Sequence, residues 1–325
     1  MKRPDLYVSM SPHIHSGNSV RKMMLHSFGA LLPSIAFGWF LFGWAAVQVI
    51  AIAAAAAVVT EFLWNKLLKN PVSIGDCSAL LTGVLIGLVL PSSVPWWIPV
   101  VGAFVAIVVG KQVFGGLGNH PFNATLVGWA FLQVSYKELL ADSPIPEPQF
   151  YLDPGEYLAS SPLFTLKDEG IDSIIEVPWM DFIWGNVPGS IGTVSVLAVL
   201  IGGAYLLYKR TITWHIPLSF IFSAWLFAFI FWKIDPEVYA NPTFHILSGW
   251  ILLGAFFLAP EKGTSPVNVT AMIIYGIGCG VLTMIIRMWG SYTEGVPFAI
   301  LLMNALTPLL DRIRPKILGR LTEIA

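Results

Sequence analysis

Residues 24–66 read MLHSFGALLPSIAFGWFLFGWAAVQVIAIAAAAAVVTEFLWNK, and the stretch is almost entirely apolar. A helix needs about 20 mostly apolar residues to cross a bilayer, and this stretch holds two such lengths, 24–43 and 46–66. The same pattern continues along the chain and predicts ten membrane-spanning helices. The other eight segments are 78–94, 96–114, 122–136, 189–208, 214–232, 243–259, 267–288 and 296–310.

The composition indicates an all-α polytopic membrane protein. Of the 325 residues, 56% are hydrophobic and only 11% are charged, whereas soluble domains carry about 25% charged residues. The 13 Trp and 21 Phe suit contact with lipid and the aromatic belts at membrane interfaces. The net charge of -1 argues against a nucleic-acid partner. Cys77 and Cys279 are too far apart in sequence for a CxxC redox or zinc motif, which favours packing roles for both.

Positive charge predicts the orientation of the chain. With ten crossings and a cytoplasmic N-terminus, 14 of the 18 Lys and Arg residues lie on the cytoplasmic side, as the positive-inside rule requires. Both termini are then cytoplasmic, and an extracytoplasmic loop holds ten of the 19 acidic residues. The chain therefore divides into five regions: an N-terminal cytoplasmic arm (1–23), a five-helix unit (24–136), the acidic loop (137–188), a second five-helix unit (189–310) and a basic cytoplasmic tail (311–325).

Short motifs recur in the same order in the two five-helix units. They are LTG at 81–83 with LP at 90–91, LSG at 247–249 with AP at 259–260, and PF at 121–122 and 297–298. Two units with an odd number of helices insert with opposite topology, so these motifs indicate inverted repeats with a site or pathway at the midplane. The alternative is that pairs of small residues are common in membrane helices because they allow close packing.

Ionisable residues within apolar segments are candidates for function because charge is costly inside a membrane. Those in or near the predicted segments are His26, Glu61, Asp76, His215 and His245. Several lie at segment ends, where capping and interfacial roles are common, so a structural role is favoured for each taken alone. Glu61, Asp76 and Asn123 are the candidate ion-pathway residues, and the sequence predicts no metal site.

Residues 115–123 read GGLGNHPFN. The three glycines permit positive φ and close approach of the backbone, and the following helix start offers free N–H groups to an anion. The stretch suits an anionic ligand or a re-entrant segment, and a flexible turn explains it equally well. In the N-terminal SPHIHSGNSVRK, His13 and His15 form a poor metal motif, so docking to a partner subunit or to lipid headgroups is favoured.

Four stretches resemble a known family of membrane subunits. They are SPHIHSGNSVRKMML at 11–25, GDCSALLTGVLIGLVLPSSVPWWIPVVG at 75–102, KQVFGGLGNHPFNATLVGWAFL at 111–132 and PGSIGTVSVLAVLIGGAYLLYKRTITWHIPLSF at 188–220. This is the NqrB/RnfD family, with members in the Rnf ion-translocating ferredoxin:NAD oxidoreductase and in the sodium-pumping NADH:quinone oxidoreductase. The resemblance covers nearly the whole chain. It implies ten helices in two inverted five-helix repeats, similar to urea transporters, in the cell inner (plasma) membrane.

The resemblance also implies an FMN joined by a phosphoester to a threonine. That threonine ends a motif resembling Asp-x-x-Ser/Thr-Gly-Ala-Thr, often followed by Pro-Leu, in the loop before the sixth helix. Here GEYLASS at 155–161 precedes Pro162-Leu163, and Ser161 falls on the acceptor position. Gly155, Leu158 and Ser161 depart from the family's residues, although a serine hydroxyl can form the same ester. Covalent attachment to Ser161 is therefore a hypothesis.

Three further residues are candidates for contact with the flavin. They are Thr165, Trp179 and Trp184, although a Trp at a membrane edge is ordinarily a belt residue. FMN is the expected cofactor, and riboflavin is a second candidate. The expected partners are the other subunits of the complex, which carry iron–sulfur clusters and flavins or are further membrane subunits, together with membrane lipid.

The function that the resemblance implies is that of a translocase subunit that is not active alone. It would carry electrons through an extracytoplasmic FMN, while the complex couples electron transfer between ferredoxin and NAD to translocation of Na⁺ or H⁺. One alternative is a channel or transporter for a small solute with a urea-transporter-like fold. Another is a structural subunit without covalent flavin. Flavin absorbance favours the first function, and solute flux through the isolated subunit favours the second. An intact, working complex with unchanged flavin content in Ser161→Ala favours the third function, or a noncovalent flavin site.

Overall fold

The computed structural model describes residues 19–69, 73–146, 158–175 and 177–313. Most of the N-terminal arm, most of the basic tail and the start of the GEYLASS stretch lie outside the described residues. The described chain is mostly helical and contains fourteen α-helices and one two-stranded sheet. Three of these helices are long and apolar enough to cross a membrane, which agrees with the predicted polytopic membrane protein.

The helices of the first unit follow the predicted segments. They are α1 (Val20–Leu67), α2 (Ser78–Val89), α3 (Trp97–Ile107) and α4 (Ala124–Ser135), with a 3-10 turn at Ile74–Asp76 and a π-helical turn at Val108–Gln112 that extends α3.

Gly43 interrupts α1, which explains why one element of 48 residues contains two predicted segments. Its φ of 62° and ψ of -149° are not helical, and only glycine adopts this region without strain. A straight helix of that length would measure about 72 Å, more than twice the hydrocarbon thickness of a bilayer. The chain therefore turns at Gly43, between 20–42 and 44–67.

A short, mixed region joins the two units. It contains α5 (Lys137–Ala141), β1 (Asp142–Pro144), β2 (Leu158–Ser160), α6 (Pro162–Glu169), α7 (Asp172–Ile175) and α8 (Trp179–Trp184). The two strands are antiparallel, and Ser143 pairs with Ala159. This pairing joins residues 142–144 and 158–160 within the acidic loop and places Ser161 directly after β2.

The second unit has the same succession of apolar helices with one interruption. Its helices are α9 (Val196–Tyr208), α10 (His215–Ile234), α11 (Pro242–Leu247), α12 (Ile251–Leu253), α13 (Val269–Trp289) and α14 (Val296–Leu310), and a π-helical turn at Gly254–Leu258 extends α12. The predicted eighth segment, 243–259, is thus broken between α11 and α12. Helix occurs at every predicted segment, while ten membrane crossings remain a prediction.

Small residues let the helices of each unit pack closely. A Cβ at Gly83 on α2 would lie 2.6 Å from the Cα of Ala54 on α1. In the second unit, a Cβ at Gly276 on α13 would lie 2.9 Å from the carbonyl oxygen of Ile216 on α10. Backbone contact of this kind is how membrane helices associate without a hydrophobic driving force.

Candidate functional site

Ser161 begins α6 at the wall of a cavity. It is the N-cap residue of this helix, with extended backbone dihedrals, yet its hydroxyl makes no capping hydrogen bond. Pro162 follows in the first turn, a position that suits its fixed φ. Leu163 is buried in a small apolar cluster with Phe182 and Phe244, which fixes α6 against the second unit. Ser161 thereby lines the cavity.

The Ser161 cavity, as we name it, lies between the two units and has aromatic walls. Trp129 of α4 and Trp250 at the start of α12 both line it, with ring centroids 4.8 Å apart in an edge-on arrangement. The indole N–H of Trp250 donates a hydrogen bond to the Ser190 hydroxyl at 3.1 Å. Phe164 and Tyr292 contribute further aromatic surface. Rigid aromatic walls of this kind suit a flat, conjugated ligand.

The floor of this cavity is the break between α11 and α12. Ser248 ends α11 in an extended conformation, and Gly249 follows with φ of 69°. A Cβ at Gly249 would collide with the Glu294 carboxylate and would lie 2.7 Å from an Arg287 guanidinium nitrogen. Glycine is thus required here by both its backbone angle and its surroundings.

Arg287 of α13 occupies the break. Its guanidinium donates to the carbonyl oxygen of His245 at 2.7 Å and to that of Ser248 at 3.2 Å, both at the C-terminal end of α11. A cation at this end satisfies helix carbonyls that have no intrahelical partner. The guanidinium also donates to the Glu294 carboxylate at 3.2 Å, and the Arg287 side chain is 1% exposed.

Several polar atoms around this break have no hydrogen-bond partner among the described residues. They are Ser248 Oγ, His245 Nδ1, Thr283 Oγ1 and Arg287 Nε, and all are buried. Ser248 also lines the Ser161 cavity. An unpartnered buried hydroxyl is costly, and a polar ligand in the cavity would relieve this cost at Ser248.

Two lysines lie beside the same cavity. Lys137 of α5 lines it, and Lys167 of α6 donates to the carbonyl oxygens of Gly290 and Tyr292. Burial of Lys167 and the positive charge of Lys137 both lower the pKa of Lys167. Neither lysine forms an ion pair within the described residues. Two lysines that form no ion pair, beside a serine hydroxyl, favour an anion.

A second buried cation, Lys111, lies near the N-terminal ends of α2 and α4. The Lys111 ammonium donates to both oxygens of Glu61, at 2.9 and 3.1 Å, and to the Ser78 hydroxyl at 2.6 Å. Lys111 is 2% exposed and Glu61 1% exposed. The positive-inside rule placed Lys111 among the 14 cytoplasmic charges. In the structure it lies in the π-helical turn at the end of α3, away from solvent.

Hydrogen bonds extend from this ion pair in both directions. The backbone N–H and the hydroxyl of Ser78 donate to Asp76 at 2.7 and 2.6 Å. The hydroxyl of Ser73 donates to Glu61 at 2.6 Å, and Gln112 donates to the same oxygen at 3.0 Å. The structure therefore joins the two predicted carboxylates, Asp76 and Glu61, in one network through Lys111, a residue that the sequence reasoning did not select.

Asn123 has a structural position that connects the two units. Its side chain caps α4 by accepting from the Leu126 N–H at 3.2 Å and donates to the carbonyl oxygen of Leu258 at 3.0 Å. The preceding glycines Gly115, Gly116 and Gly118 all have positive φ, as the sequence predicted. Asn123 also lines a cavity with Lys111, which we name the Lys111 cavity.

The two cavities approach each other along two helices. On α2, Leu85 lines the Lys111 cavity and Val89 the Ser161 cavity. On α4, Thr125 lines the Lys111 cavity and Trp129 lines the Ser161 cavity. Residues four apart are separated by about one helical turn, roughly 6 Å along the axis. A barrier about one turn thick therefore separates the cavities.

His120 and Glu261 join the two units at the Lys111 cavity. His120 Nε2 lies 3.3 Å from a Glu261 carboxylate oxygen, and both residues line this cavity. Burial alone lowers the pKa of His120, but the hydrogen bond and charge of Glu261 raise it, and the net pKa lies above 6.5. His120 belongs to the GGLGNHPFN stretch, which was singled out from sequence for its glycines.

Thr165, Trp179 and Trp184, the other residues predicted to contact the flavin, are absent from the described lining of the Ser161 cavity. Thr165 is in the first turn of α6, where its hydroxyl donates to the carbonyl oxygen of Pro162 at 3.1 Å. Trp179 and Trp184 are exposed on α8. The aromatic walls come instead from Trp129 and Trp250, which lie in predicted membrane segments. Pairing of residues so distant in sequence could not be read from local patterns.

These features define a polytopic, mostly helical membrane protein with a buried ion pair and a cavity at each of two opposed sites. The chain belongs to the NQR2, RnfD, RnfE family, whose model matches residues 7–319. It is 40% identical to the D subunit of the Na⁺-translocating ferredoxin:NAD⁺ oxidoreductase complex of Acetobacterium woodii, over 100% of this chain and 98% of the relative. It is 36% identical to the D subunit of the proton-translocating ferredoxin:NAD⁺ oxidoreductase complex of Clostridium ljungdahlii, over 96% and 95% of the two chains. It is 37% identical to the D subunit of the ion-translocating oxidoreductase complex of Stutzerimonas stutzeri, over 93% of each chain.

Proposed function

We propose that this chain is a membrane subunit of an Rnf-type, ion-translocating oxidoreductase and carries an FMN joined through its phosphate to Ser161. Full-length relatives are named as subunits of such complexes. The observation that carries the proposal is the position of Ser161, which lines a cavity with aromatic walls and whose hydroxyl makes no capping bond. The other subunits of the complex are the expected partners.

The residues around Ser161 fit an FMN. Trp129 and Trp250 offer flat apolar surface to the ring, and the buried Ser248 hydroxyl offers an unused hydrogen bond to its polar edge. Lys137 and Lys167 supply positive charge for the phosphate. When bound, FMN exchanges one or two electrons and so connects one-electron and two-electron carriers. In this account the chain holds the flavin at one place.

The test is mass analysis of the intact protein and of its peptides, on protein purified with its complex from cells that contain an active flavin transferase. A flavin phosphate adduct on the peptide that contains Ser161 is expected in the wild type and absent in Ser161→Ala. Riboflavin, the second candidate cofactor, would appear as flavin released by denaturation without any adduct. A wild-type protein with neither adduct nor released flavin contradicts the proposal.

For the membrane arrangement, we propose ten crossings in two inverted five-helix repeats, similar to urea transporters, in the inner membrane. The break at Gly43 and the helix at every predicted segment support ten crossings. In this arrangement both termini are cytoplasmic and Ser161 is extracytoplasmic. Cysteine accessibility tests it: Ser160→Cys is expected to react with an impermeant maleimide added outside, and Lys262→Cys is not.

Ion translocation involves the network at the Lys111 cavity in this account. A continuous series of hydrogen bonds runs from half-buried Asp76 through Ser78 and Lys111 to buried Glu61. Two of the relatives are named for different ions, one Na⁺ and one H⁺, at similar identity to this chain, so either ion is consistent with it. Inverted vesicles that contain the complex test this account. Asp76→Asn and Glu61→Gln are expected to lower the potential formed at an unchanged rate of electron transfer, and an unchanged potential contradicts the role.

The second candidate function is passage of a small solute. The two cavities that approach within about one helical turn favour it. Liposomes that contain only this subunit decide between the functions. Solute flux at the rate of a channel supports the second candidate, and its absence together with a flavin adduct supports the first.

A further inference from the structure

Glu294 presents a carboxylate to the Ser161 cavity. Of the residues that the structure describes in the wall of this cavity, Glu294 is the one acidic side chain. It belongs to the loop between α13 and α14, and its side chain is 16% exposed. One oxygen accepts from the backbone N–H of Trp250 at 3.1 Å, and the other accepts from the Arg287 guanidinium at 3.2 Å. These bonds hold the carboxylate in one position at the floor of the cavity.

The loop that carries Glu294 is fixed from outside as well. Lys167 of α6 binds the carbonyl oxygens of Gly290 and Tyr292 in this loop. Through this contact, α6, the helix that Ser161 precedes, is bound to the loop that positions Glu294. A ligand attached to Ser161 and a proton donor at residue 294 would therefore keep a fixed relationship to each other.

The titratable and charged groups around Glu294 come from four packed elements. Arg287 of α13 touches it, His245 of α11 contacts Arg287 through its carbonyl oxygen, and Lys137 of α5 and Lys167 of α6 lie at the cavity and the loop. Burial raises the pKa of Glu294, while Arg287 and the Trp250 N–H oppose the rise, and the net pKa lies above 4.5. The pKa of the Glu294 carboxyl group is thus higher than that of an ordinary glutamate.

We propose that Glu294 exchanges the proton that accompanies reduction and oxidation of a flavin ring in the Ser161 cavity. This inference rests on the flavin site proposed above. When one electron arrives from a carrier in another subunit, Glu294 transfers its proton to a ring nitrogen. The O–H bond breaks, an N–H bond forms, and the carboxylate that remains is stabilised by Arg287 and the Trp250 N–H. Water in the cavity then returns a proton to Glu294, and the steps reverse on oxidation.

The test measures the rate of flavin reduction in the purified complex after mixing with dithionite, at several pH values. In the wild type, the rate is expected to fall as pH rises through the pKa of Glu294. Glu294→Gln is expected to react about 100-fold more slowly, as for loss of a general acid, and without this pH dependence. Glu294→Asp is expected to keep a pH-dependent rate. A wild-type rate and pH profile in Glu294→Gln would overturn the inference.

Two controls separate a role in proton transfer from a structural role and from failure of the flavin site. Glu237→Gln, at an exposed position absent from the described lining of both cavities, is expected to leave the reduction rate unchanged. Absence of flavin from the wild-type complex contradicts the proposed function itself, whereas flavin on Ser161 with unchanged kinetics in Glu294→Gln contradicts only this inference. If Glu294→Gln fails to assemble, Glu294→Asp decides, because its retracted carboxylate predicts slower reduction and a wild-type rate contradicts the role.

Discussion

Lys111 and Arg287 are buried cations at corresponding positions of the two units, and each is paired with a glutamate. Lys111 stands ten residues before Pro121-Phe122, and Arg287 stands ten residues before Pro297-Phe298. Lys111 reaches the Ser78 hydroxyl at the start of α2, and Arg287 reaches carbonyl oxygens at the end of α11. Each cation therefore binds the third predicted segment of its own unit, which supports the proposed repeat.

Removal of Lys111 is expected to destabilise the protein strongly. Lys111→Met leaves the Glu61 carboxylate buried without its partner, which costs about 3–5 kcal/mol. The double variant Glu61→Leu with Lys111→Met removes both charges and is expected to recover most of that loss. Thermal unfolding in detergent, followed by tryptophan fluorescence, measures both. Equal destabilisation by the single and double variants would show that the charge pairing is not the cause.

Gly249→Ala is expected to disrupt the floor of the Ser161 cavity. A Cβ there meets the Glu294 carboxylate, and a φ of 69° costs an L-residue about 1–2 kcal/mol by itself. The variant should unfold at a lower temperature and retain less flavin. Gly29→Ala on α1 is the matched control, since nothing lies within 4 Å of its added Cβ. Equal behaviour of the two variants would contradict the geometry of the break.

The His120–Glu261 contact is expected to make stability depend on pH. The pKa of His120 is raised above 6.5 in the folded protein, so the protonated imidazole is favoured by folding. Its contribution is fully present below pH 6.5 and is lost as pH rises through the folded-state pKa. In Glu261→Gln, burial is left to lower the pKa of His120, so the unfolding temperature should no longer fall as pH rises through this range. A wild-type pH dependence in Glu261→Gln would assign the effect to another group.

Positive charge beside Ser161 is expected to support flavin attachment. Lys137→Glu places a negative charge in the wall of the cavity, where it repels the phosphate, and should lower the fraction of protein that carries flavin. Lys137→Arg keeps the charge and should retain the wild-type fraction. Intact mass measures the fraction, and Lys233→Glu, on α10 and absent from the described lining of this cavity, is the control for net charge. A normal fraction in Lys137→Glu would exclude a role for Lys137.

Part of this architecture could be predicted from the sequence, whereas contacts between residues distant in the sequence could not. Hydropathy located the helices, and the end of the first predicted segment coincides with Gly43, where α1 breaks. Glu61 and Asp76 were selected because charge is costly in apolar segments. Their connection depends on Lys111, 50 residues from Glu61, and a distant partner has no local signal. Arg287 was likewise counted only as a charge for orientation, because its role depends on the break between α11 and α12.

The central claim is that Ser161 carries the flavin, and peptide mass mapping of the purified complex tests it most directly. The account predicts a flavin phosphate adduct on Ser161 in the wild type and in Ser160→Ala, its loss in Ser161→Ala, and its retention in Ser161→Thr, which restores the residue typical of the family. An adduct that persists in Ser161→Ala, or a wild-type protein with no adduct in the presence of an active transferase, would contradict it.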